Sequence, residues 1–362
     1  MSETYDFAIV GAGIAGASLA AGLAGQGSVL LIEAEDHPGY HATGRSAAFW
    51  TESYGGPLVY PLTDASFDFL NDNNFLAPRG ALTLARADEA AGLNAFIAEF
   101  TALGVAVEPL DRAELNARIA GLRSEWVLGA YEPDCCDIDV AALHQHWLGQ
   151  AAAAGARLVC RARFAGAQRQ GGVWQLALED GRHFSAAVLI NAAGAWADQV
   201  AERSGLGALG IHPFRRTMCQ LRVAHPVPPD LPLTLGFDGS FYFRPEGGRL
   251  WLSPHDEIPS PPCDAAPEEI DVALAIDRFE RAVDWPVEAV EHKWAGLRSF
   301  APDRLPVYGF DPRASGFFWF AGQGGFGIQT APAAADLAVG LLLGRQGGMV
   351  DPGPYLPDRL VS

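Results

Sequence analysis

The sequence predicts a mixed α/β fold of two parts, one built on parallel βαβ units and one on an antiparallel sheet. The first observation is a glycine-rich turn, GAGIAG, between two short apolar runs near the start of the chain. The second is a later strand followed by a turn of small residues, VLINAAGAWA at 188–197. The third is a series of strand-like segments over residues 211–300, interrupted by only one helical segment.

The opening βαβ unit is predicted from three consecutive patterns. Residues 7–10 are an apolar run typical of a buried strand, and residues 14–23 are alanine-rich and helical. Glycines end the helix, and a second apolar strand at 29–32 is followed directly by Glu33. The order strand, glycine turn, helix, strand and acid within about 30 residues favours a dinucleotide site over a plain glycine-rich turn.

Each glycine of the opening turn has its own physical role. Gly11 permits the tight turn, Gly13 leaves room for a pyrophosphate, and Gly16 allows close packing of helix on strand. The helix N-terminus presents N–H groups and a positive dipole end to phosphates. Glu33 can accept hydrogen bonds from a ribose diol and would repel a 2′-phosphate, which argues against NADP.

Length and charge limit the possible functions. A chain of 362 residues suggests about two domains. The net charge of −18 makes nucleic acid and anionic membranes poor partners. No signal peptide is recognisable, and the apolar run at 337–343 is too short to span a bilayer.

The cysteines indicate a reducing compartment. Five cysteines are few and odd in number, and no two have CxxC spacing. A disulfide framework is therefore not expected, and the sequence predicts a cytoplasmic protein, either free or peripherally attached to the inner membrane.

The remaining elements follow from periodicity and turn residues. Helices are predicted at 62–76, 88–103, 112–120, 140–154, 267–283 and 328–343. Strands are predicted at 81–85, 126–131, 157–164, 173–178, 184–190, 216–223, 240–244, 249–254 and 317–321.

Two segments leave alternatives open. Residues 41–48, HATGRSAA, either pack against a flat ring or phosphate, or begin a helix capped by Thr43 or Ser46. Residues 134–139, DCCDID, are either a metal site or an acidic turn that caps the next helix, and the turn is favoured. No metal site is predicted.

A second glycine-rich turn, GQGGFG at 322–327, precedes the last predicted helix. Enzymes that use NAD rarely need such a second turn. A flavin does, because its N1–C2=O edge gains negative charge on reduction and a helix N-terminus stabilises that charge. The two turns together predict FAD.

Five motifs carry a resemblance to a known family: GAGIAG, PGYHATGRSAA, VLINAAGAWAD, HKWAGLRSF and FAGQGGFGIQT. Together they resemble the flavin-dependent amine and amino-acid oxidoreductases that include D-amino-acid oxidase and glycine oxidase, with bacterial D-arginine dehydrogenases as the most similar members. The resemblance implies a bilobal fold. A Rossmann-like FAD domain would comprise 1–50, 140–205 and 300–345, a substrate domain 51–139 and 206–299, and a C-terminal tail 346–362.

The resemblance also implies a reaction. Hydride would pass from the Cα of a D-amino acid to flavin N5, and the imino acid would hydrolyse to a 2-oxo acid and ammonia. The FAD is expected to be non-covalent, because Cys263, the last cysteine, lies well before the final glycine turn. The electron acceptor is left open between oxygen, a quinone and an electron-transfer chain.

Five residues take catalytic roles by this resemblance. Arg298 grips the substrate carboxylate, Tyr242 donates to it, and Tyr54 lies on a mobile loop beside it. Arg216 is a further active-site arginine, and the Gly325 carbonyl meets the substrate amine.

Cofactor and substrate contacts are predicted from the same motifs. The predicted cofactor-binding residues are Gly11, Gly13, Ile14, Ala15, Gly16, Glu33, Ala34, Thr43, Arg45, Ser46, Ala48, Ala193, Gly194, Trp196, Gly324, Gly325, Gly327, Ile328, Gln329 and Thr330. The predicted substrate-pocket residues are Phe49, Thr51, Ala81 and Gln329.

Two departures from the arginine enzymes change the expected substrate. Ala81 stands where those enzymes carry a glutamate that pairs with a cationic side chain, and Phe49 replaces a histidine. Losing the glutamate removes a charge pair worth several kcal/mol of discrimination, by order of magnitude. The sequence therefore predicts uncharged or hydrophobic side chains rather than D-arginine.

Three rival functions remain open at the level of sequence. The substrate could be an N-substituted amino acid or a 2-hydroxy acid, which would need the same arginine. The chain could instead be a nicotinamide-linked dehydrogenase, which the second glycine turn disfavours. A non-catalytic flavin-binding subunit is the third.

Overall fold

The structure is a computed structural model that describes residues 4–345 and 347–361. Its strands are β1 Thr4–Val10, β2 Val29–Ile32, β3 Phe49–Trp50, β4 Leu76–Pro78, β5 Ala81–Arg86, β6 Glu108–Asp111, β7 Trp126–Glu132, β8 Cys136–Ile138, β9 Arg157–Val159, β10 Phe164–Gln170, β11 Val173–Leu178, β12 His183–Asn191, β13 His212–Val223, β14 Leu233–Gly236, β15 Tyr242–Glu246, β16 Arg249–Ser253, β17 Ile258–Pro259, β18 Val287–Phe300, β19 Val307–Phe310 and β20 Phe317–Ala321. Its α-helices are α1 Ile14–Leu23, α2 Tyr60–Asp64, α3 Phe67–Asp72, α4 Ala90–Ala102, α5 Arg112–Arg118, α6 Val140–Ala153, α7 Ala197–Arg203, α8 Glu269–Ala282 and α9 Ala331–Leu342.

The first sheet has a parallel core in the order β20–β12–β1–β2–β9, with β10 and β11 added antiparallel beyond β12 and β19 antiparallel to β20. Helices α1 and α9 pack together on it. Residues 7–10, 29–32 and 317–321 are buried without interruption, as expected for strands covered on both faces. The Rossmann-like arrangement predicted from the opening turn is confirmed.

The second sheet runs β17–β13–β16–β15–β14–β5–β7–β6, with β18 also paired to β13. It is antiparallel as predicted, except that β5 and β14 pair in parallel. These two strands are far apart in the chain, so no hairpin forces them to run in opposite directions. A third, small sheet joins β3, β8 and β4.

The chain passes between the two large sheets four times. Strands from 4–32, 157–191 and 307–321 form the first sheet, and strands from 81–132 and 212–300 form the second. Near the end of the chain, the ring of Tyr355 is buried 5.9 Å from that of Tyr308 in β19, so this segment packs against the first sheet.

Three predicted elements differ in detail from the structure. The strand predicted at 157–164 divides into β9 and the start of β10, because Arg161 between them has a left-handed φ of 52°. The helix predicted at 62–76 divides into α2 and α3. The helix predicted from residue 328 begins at Ala331, which places Pro332 in its first turn, where proline is tolerated.

Strand β18 was not predicted over its full 14 residues. No helix within residues 4–345 and 347–361 combines the length and hydropathy that crossing a bilayer requires.

Candidate active site

A cavity of about 340 Å³ lies where the two large sheets meet. On one side it is lined by the turns that follow β1, β2 and β12, and on the other by β13, β15 and β18. The closing glycine turn, residues 322–327, contributes to the wall between them. The cavity therefore has an end lined by the first sheet and an end lined by the second.

The opening glycine turn leaves no room for side chains. Gly11 has a φ of 101°, and an added Cβ would lie 2.5 Å from the carbonyl oxygen of Ala192. A Cβ on Gly16 would lie 1.8 Å from the carbonyl oxygen of Gly11, so helix and strand touch here through backbone alone. Gly13 and Ala15 line the cavity, and their N–H groups have no hydrogen-bond acceptor among the described residues. This cradle suits a pyrophosphate.

Glu33 lines the same end of the cavity and is buried. Its Oε2 accepts a hydrogen bond from the backbone N–H of Ala12 at 3.0 Å, and its Oε1 accepts one from Glu35 at 3.0 Å. These bonds fix the carboxylate against the opening turn, at the position where a ribose diol would meet it.

The segment 41–48 forms turns rather than a helix. The Thr43 hydroxyl accepts a hydrogen bond from the N–H of Ile14 at 2.9 Å, so Thr43 caps α1 rather than a helix of its own. Arg45 donates to the carbonyls of Ala265 and Ala295 at 2.8 and 3.1 Å. Its guanidinium therefore ties this segment to the second sheet, although the residue also lines the cavity.

The closing glycine turn also approaches the cavity through its backbone. A Cβ on Gly324 would lie 2.2 Å from the ring of Phe300, so only glycine fits there. Gly325, Gly327 and Ile328 line the cavity, and their N–H groups have no acceptor within the described part of the chain. Because α9 begins only at Ala331, these donors come from the preceding turns rather than from the first turn of the helix. They suit the electron-rich edge of a flavin.

Arg298 of β18 lies at the second-sheet end of the cavity. Its Nη1 donates to the Tyr54 hydroxyl at 2.9 Å. A Cβ on Gly325 would lie 2.0 Å from that hydroxyl and 2.9 Å from Arg298 Nη1. The structure thus brings together three of the residues predicted to be catalytic, although they are far apart in sequence.

Arg216 is a buried cation beside the half-buried Arg298. Its Nε donates to the carbonyl of Asp256 at 2.6 Å, and its Nη2 lies 3.5 Å from Glu257. Its Nη1 has no hydrogen-bond partner among the described residues, and Arg216 lines the cavity. Burial, followed by the charge of Arg298, holds the pKa of Arg216 below its usual value.

An unpaired buried donor costs about 1–3 kcal/mol, and more for a charged group. A bound carboxylate would remove that cost by accepting from both guanidinium groups, so this end of the cavity is suited to an anion.

Tyr242 completes this end. Its ring centroid is 5.9 Å from the Arg216 guanidinium carbon, and its hydroxyl donates to the Met218 sulfur at 3.0 Å. His255 packs edge-on to the same ring at 5.5 Å. Burial, followed by the charges of Arg216 and Arg298, lowers the pKa of His255 to about 3, so this imidazole is neutral in the folded protein.

Some predicted site residues do not line the cavity. They are Gly16, Ala48, Phe49, Thr51, Tyr54, Ala81, Gln329 and Thr330. Gly16 acts through packing, and Tyr54 reaches the site through Arg298. Phe49 and Ala81 belong to an apolar cluster behind the wall that Met218 and Tyr242 form. A direct contact of these residues with cofactor or substrate stays a prediction.

Sequence reasoning also missed residues that do line the cavity. They are Tyr40, His41, Arg163, Gln199, Arg203, Met218, Cys263, Leu297, Ser299 and Gln323, among others. Leu297 and Ser299 could have been inferred from their place beside Arg298. Tyr40 and His41 lie in the motif PGYHATGRSAA and Gln323 in the closing glycine turn, so these three could also have been inferred. Arg163, Met218 and Cys263 reach the cavity through long-range packing that leaves no local signal. Cys263 is among them, so its position well before the final glycine turn in sequence does not keep it away from the cavity.

The acidic turn 134–139 caps a helix. The Asp139 side chain accepts from the N–H of Ala142 at 2.9 Å at the start of α6, as the favoured interpretation predicted. Within the described residues, no three His, Cys, Asp or Glu side chains are placed to hold a metal ion.

Comparison with known sequences gives one family over almost the whole chain. The model of the FAD dependent oxidoreductase family, DAO, matches residues 6–341. Glycine oxidase of Geobacillus kaustophilus is 26% identical over 382 residues, covering 100% of this chain and 99% of that protein. Two other matches, to FAD-dependent oxidoreductase domain-containing protein 1 of Xenopus laevis (28% identical) and glycine oxidase of Pseudomonas aeruginosa (29% identical), span 43% and 47% of this chain but only 34% and 45% of those proteins.

Solved structures show the same fold. The glycine oxidase from Geobacillus kaustophilus superposes with a TM-score of 0.86 at 24% identity, covering 100% of both chains. The L-proline dehydrogenase from P. horikoshii superposes with a TM-score of 0.87 at 20% identity, covering 99% of this chain and 98% of the other. The cofactor of the matched family is FAD, which the donors of the two glycine turns suit. The chain belongs to the DAO family of FAD-dependent oxidoreductases.

Proposed function

We propose that the protein oxidatively deaminates D-amino acids with uncharged or apolar side chains. The observation that carries the proposal is the convergence of Arg298, Arg216 and the Tyr54 hydroxyl on one end of the FAD cavity. The glycine oxidases and the L-proline dehydrogenase described above carry names that refer to amino acids.

The carboxylate would bind between the two arginines. Arg298 presents a planar guanidinium whose Nη1 is already oriented by Tyr54, and Arg216 presents an unpaired Nη1. A bidentate contact fixes both the position and the rotation of the acid group. Fixing the carboxylate fixes Cα, and orientation of this kind contributes about 7–11 kcal/mol to well-aligned reactions.

The second-sheet end of the cavity, where Arg298 lies, is called here the substrate end. Among its described lining residues, none offers a carboxylate that could pair with a cationic side chain. Of the described residues that line the cavity, the only carboxylates are Glu33 and Glu35, both at the opening-turn end. Near Arg298 the wall is formed by groups such as Met218, Leu297 and Tyr242. This composition supports an uncharged substrate side chain over D-arginine.

No strong base is required from the chain. No histidine or carboxylate of the described lining lies at the substrate end, and His255 sits behind Tyr242, outside the lining. The Gly325 carbonyl would accept from the amine and hold it while it loses its proton to water. A bound FAD would supply the acceptor for the hydride that leaves Cα, and water would then convert the imino acid to a 2-oxo acid and ammonia.

Anaerobic mixing tests the proposal directly. The purified flavoprotein is mixed with a panel of D- and L-amino acids, N-methyl amino acids and 2-hydroxy acids, and loss of the oxidised flavin absorbance is followed. Bleaching by apolar D-amino acids is expected, with weak or no response to D-arginine. Bleaching only by L-amino acids, N-substituted amino acids or hydroxy acids would reject the proposed substrate class. Repeating the active reactions with oxygen or a quinone identifies the acceptor.

A further inference from the structure

We propose that Glu132 is a positioning residue that holds the loop of Tyr54 in the conformation in which Tyr54 orients Arg298. The inference rests on the proposed function in one respect, since it assigns Arg298 to carboxylate binding. It concerns residues 51–56, called here the tyrosine loop, and the end of strand β7. Neither segment lines the cavity, and the loop is linked to it by the hydrogen bond between Tyr54 and Arg298.

Glu132 clasps the tyrosine loop at two points. Its Oε2 accepts from the Thr51 hydroxyl at 2.8 Å, and its Oε1 accepts from the Ser53 hydroxyl at 2.8 Å. The backbone N–H of Ser53 is also directed at the carboxylate and acts with the two hydroxyls to lower its pKa. All donors to this side chain therefore come from residues that flank Glu52 and precede Tyr54.

The Glu132 carboxylate is buried at a cost in stability that only its hydrogen bonds can offset. Glu132 is 5% exposed and, within the described residues, forms no ion pair. Burial is the main influence on its pKa, which lies above the usual value for a glutamate. A buried carboxylate without a cation is destabilising unless its hydrogen bonds offset the loss of water. The loop supplies those bonds, so the position of the loop and the position of the carboxylate depend on each other.

Gln329 also holds the loop in place. Its Nε2 lies 3.3 Å from the carbonyls of Thr51 and Tyr54 and 2.8 Å from the Thr63 hydroxyl. Gly55 and Gly56 follow with φ values of 99° and 83°. Such residues allow a sharp change of direction after Tyr54. The loop is thus fixed up to Tyr54 and turns immediately after it, which leaves the tyrosine hydroxyl aimed at Arg298.

A matched pair of variants separates positioning from general stability. Glu132→Gln keeps the shape of the side chain but has only one acceptor oxygen for the donors of the loop. Glu52→Gln makes the same chemical change two backbone steps from Tyr54, in a side chain that forms no hydrogen bond or ion pair with the described residues. Ser53→Ala removes one donor and leaves Glu132 in place.

The experiment is a double-mutant cycle on the FAD-loaded protein. Anthranilate, an aromatic carboxylate, is titrated into wild type, Tyr54→Phe, Glu132→Gln and the double variant, and its dissociation constant is read from the flavin spectrum. About tenfold weaker binding is expected for Tyr54→Phe, and a similar loss for Glu132→Gln, the size of one hydrogen bond to a charged group. The double variant is expected to bind as weakly as Tyr54→Phe alone, because Glu132 acts through Tyr54.

The outcomes distinguish the proposals. The inference would be overturned if the affinity losses of the two single variants multiplied in the double variant, or if Glu132→Gln bound anthranilate as wild type does. Either result would leave the proposed function in place. If Glu132→Gln does not fold, Ser53→Ala decides, with a severalfold loss expected that disappears in the Tyr54→Phe background. Glu52→Gln is expected to bind anthranilate as wild type does. A loss of affinity equal to that of Glu132→Gln would mean that removing any nearby carboxylate charge has this effect, which would overturn the inference. If wild type binds neither anthranilate nor any amino acid, the proposed function fails and this inference falls with it.

Discussion

The two ends of the cavity are built in different ways. The cradle of the opening turn is formed by Gly11, Gly13, Ala15 and Glu33, all within one βαβ unit. The anion-binding end joins Tyr54, Arg216 and Arg298 from three distant parts of the chain. The comparison teaches that the cradle depends on local spacing, whereas the placement of the two arginines depends on how strands pair.

Strand register places the two arginines side by side. In the β13–β18 pair, Phe214 is opposite Arg298 and Arg216 is opposite Gly296. Residues two apart on a strand share a face, so Arg216 and Arg298 are diagonal neighbours on the same face. A register shift of one residue would turn one arginine away from the other. The placement of the two arginines is therefore a property of the sheet rather than of any one motif.

The largest effect is expected at the local end. Gly16→Ala should abolish FAD binding and destabilise the fold by about 3 kcal/mol or more, because the added Cβ would lie 1.8 Å from the Gly11 carbonyl oxygen. Thermal unfolding and the flavin absorbance of the purified protein measure both effects. Gly149→Ala is the control, since that exposed position in α6 has nothing within 4 Å of an added Cβ. The control should be slightly stabilised, by about 1 kcal/mol at most.

The next largest effect is expected at the anion-binding end of the cavity and should leave FAD binding unchanged. Arg298→Met should retain FAD but weaken carboxylate binding by roughly 30-fold or more, the cost of about 2–5 kcal/mol for losing one partner of a buried charged contact. Flavin content and anthranilate titration report the two ends separately. Arg281→Met removes an arginine that, among the described residues, pairs only with Asp277 on the exposed face of α8, and should change neither value. Loss of FAD in Arg298→Met would show that the two ends are not independent.

The contrast between local and long-range structure also explains which features could be predicted from the sequence. The helix predicted at 14–23 and the strand at 29–32 match α1 and β2 residue for residue, because their signals are local. The roles predicted for Arg298 and Tyr54 rest on family resemblance, and no periodicity indicates that the two side chains are in contact. The clasp at Glu132 left no sequence signal at all, since it requires β7 to end beside a loop eighty residues earlier in the chain.

Substrate identity is the least predictable feature, for a related reason. Phe49 and Ala81, where the sequence departs from the arginine enzymes, lie outside the cavity lining in an apolar cluster with Met218 and Tyr242. Their influence would act through Met218 and Tyr242, whose contacts with them depend on packing between strands.

A smaller effect concerns acid stability at the anion-binding end. The pKa of His255 is lowered from 6.5 to about 3, so the folded protein resists binding a proton that the unfolded chain accepts. Stability contributed by the neutral imidazole is complete above pH 6.5 and is lost as the pH falls toward 3. His255→Asn suits the left-handed φ of 54° and cannot titrate. Its melting temperature should fall less than that of wild type between pH 7 and pH 4, as scanning calorimetry would measure. Equal decreases would contradict the prediction.

The smallest effect concerns Glu52 on the tyrosine loop, and its dependence of stability on pH is opposite to that of His255. Burial, followed by the nearby Asp64, Asp134 and Glu132 carboxylates, raises the pKa of Glu52 from 4.5 to about 7. The folded protein therefore keeps a proton that the unfolded chain releases, and its stability decreases as the pH rises from 4.5 to 7. Glu52→Gln should melt higher than wild type by a few degrees at pH 8, and the difference should vanish near pH 4. A gain that is the same at both values would mean that the amide stabilises by packing, not by removing a charge from beside Glu132.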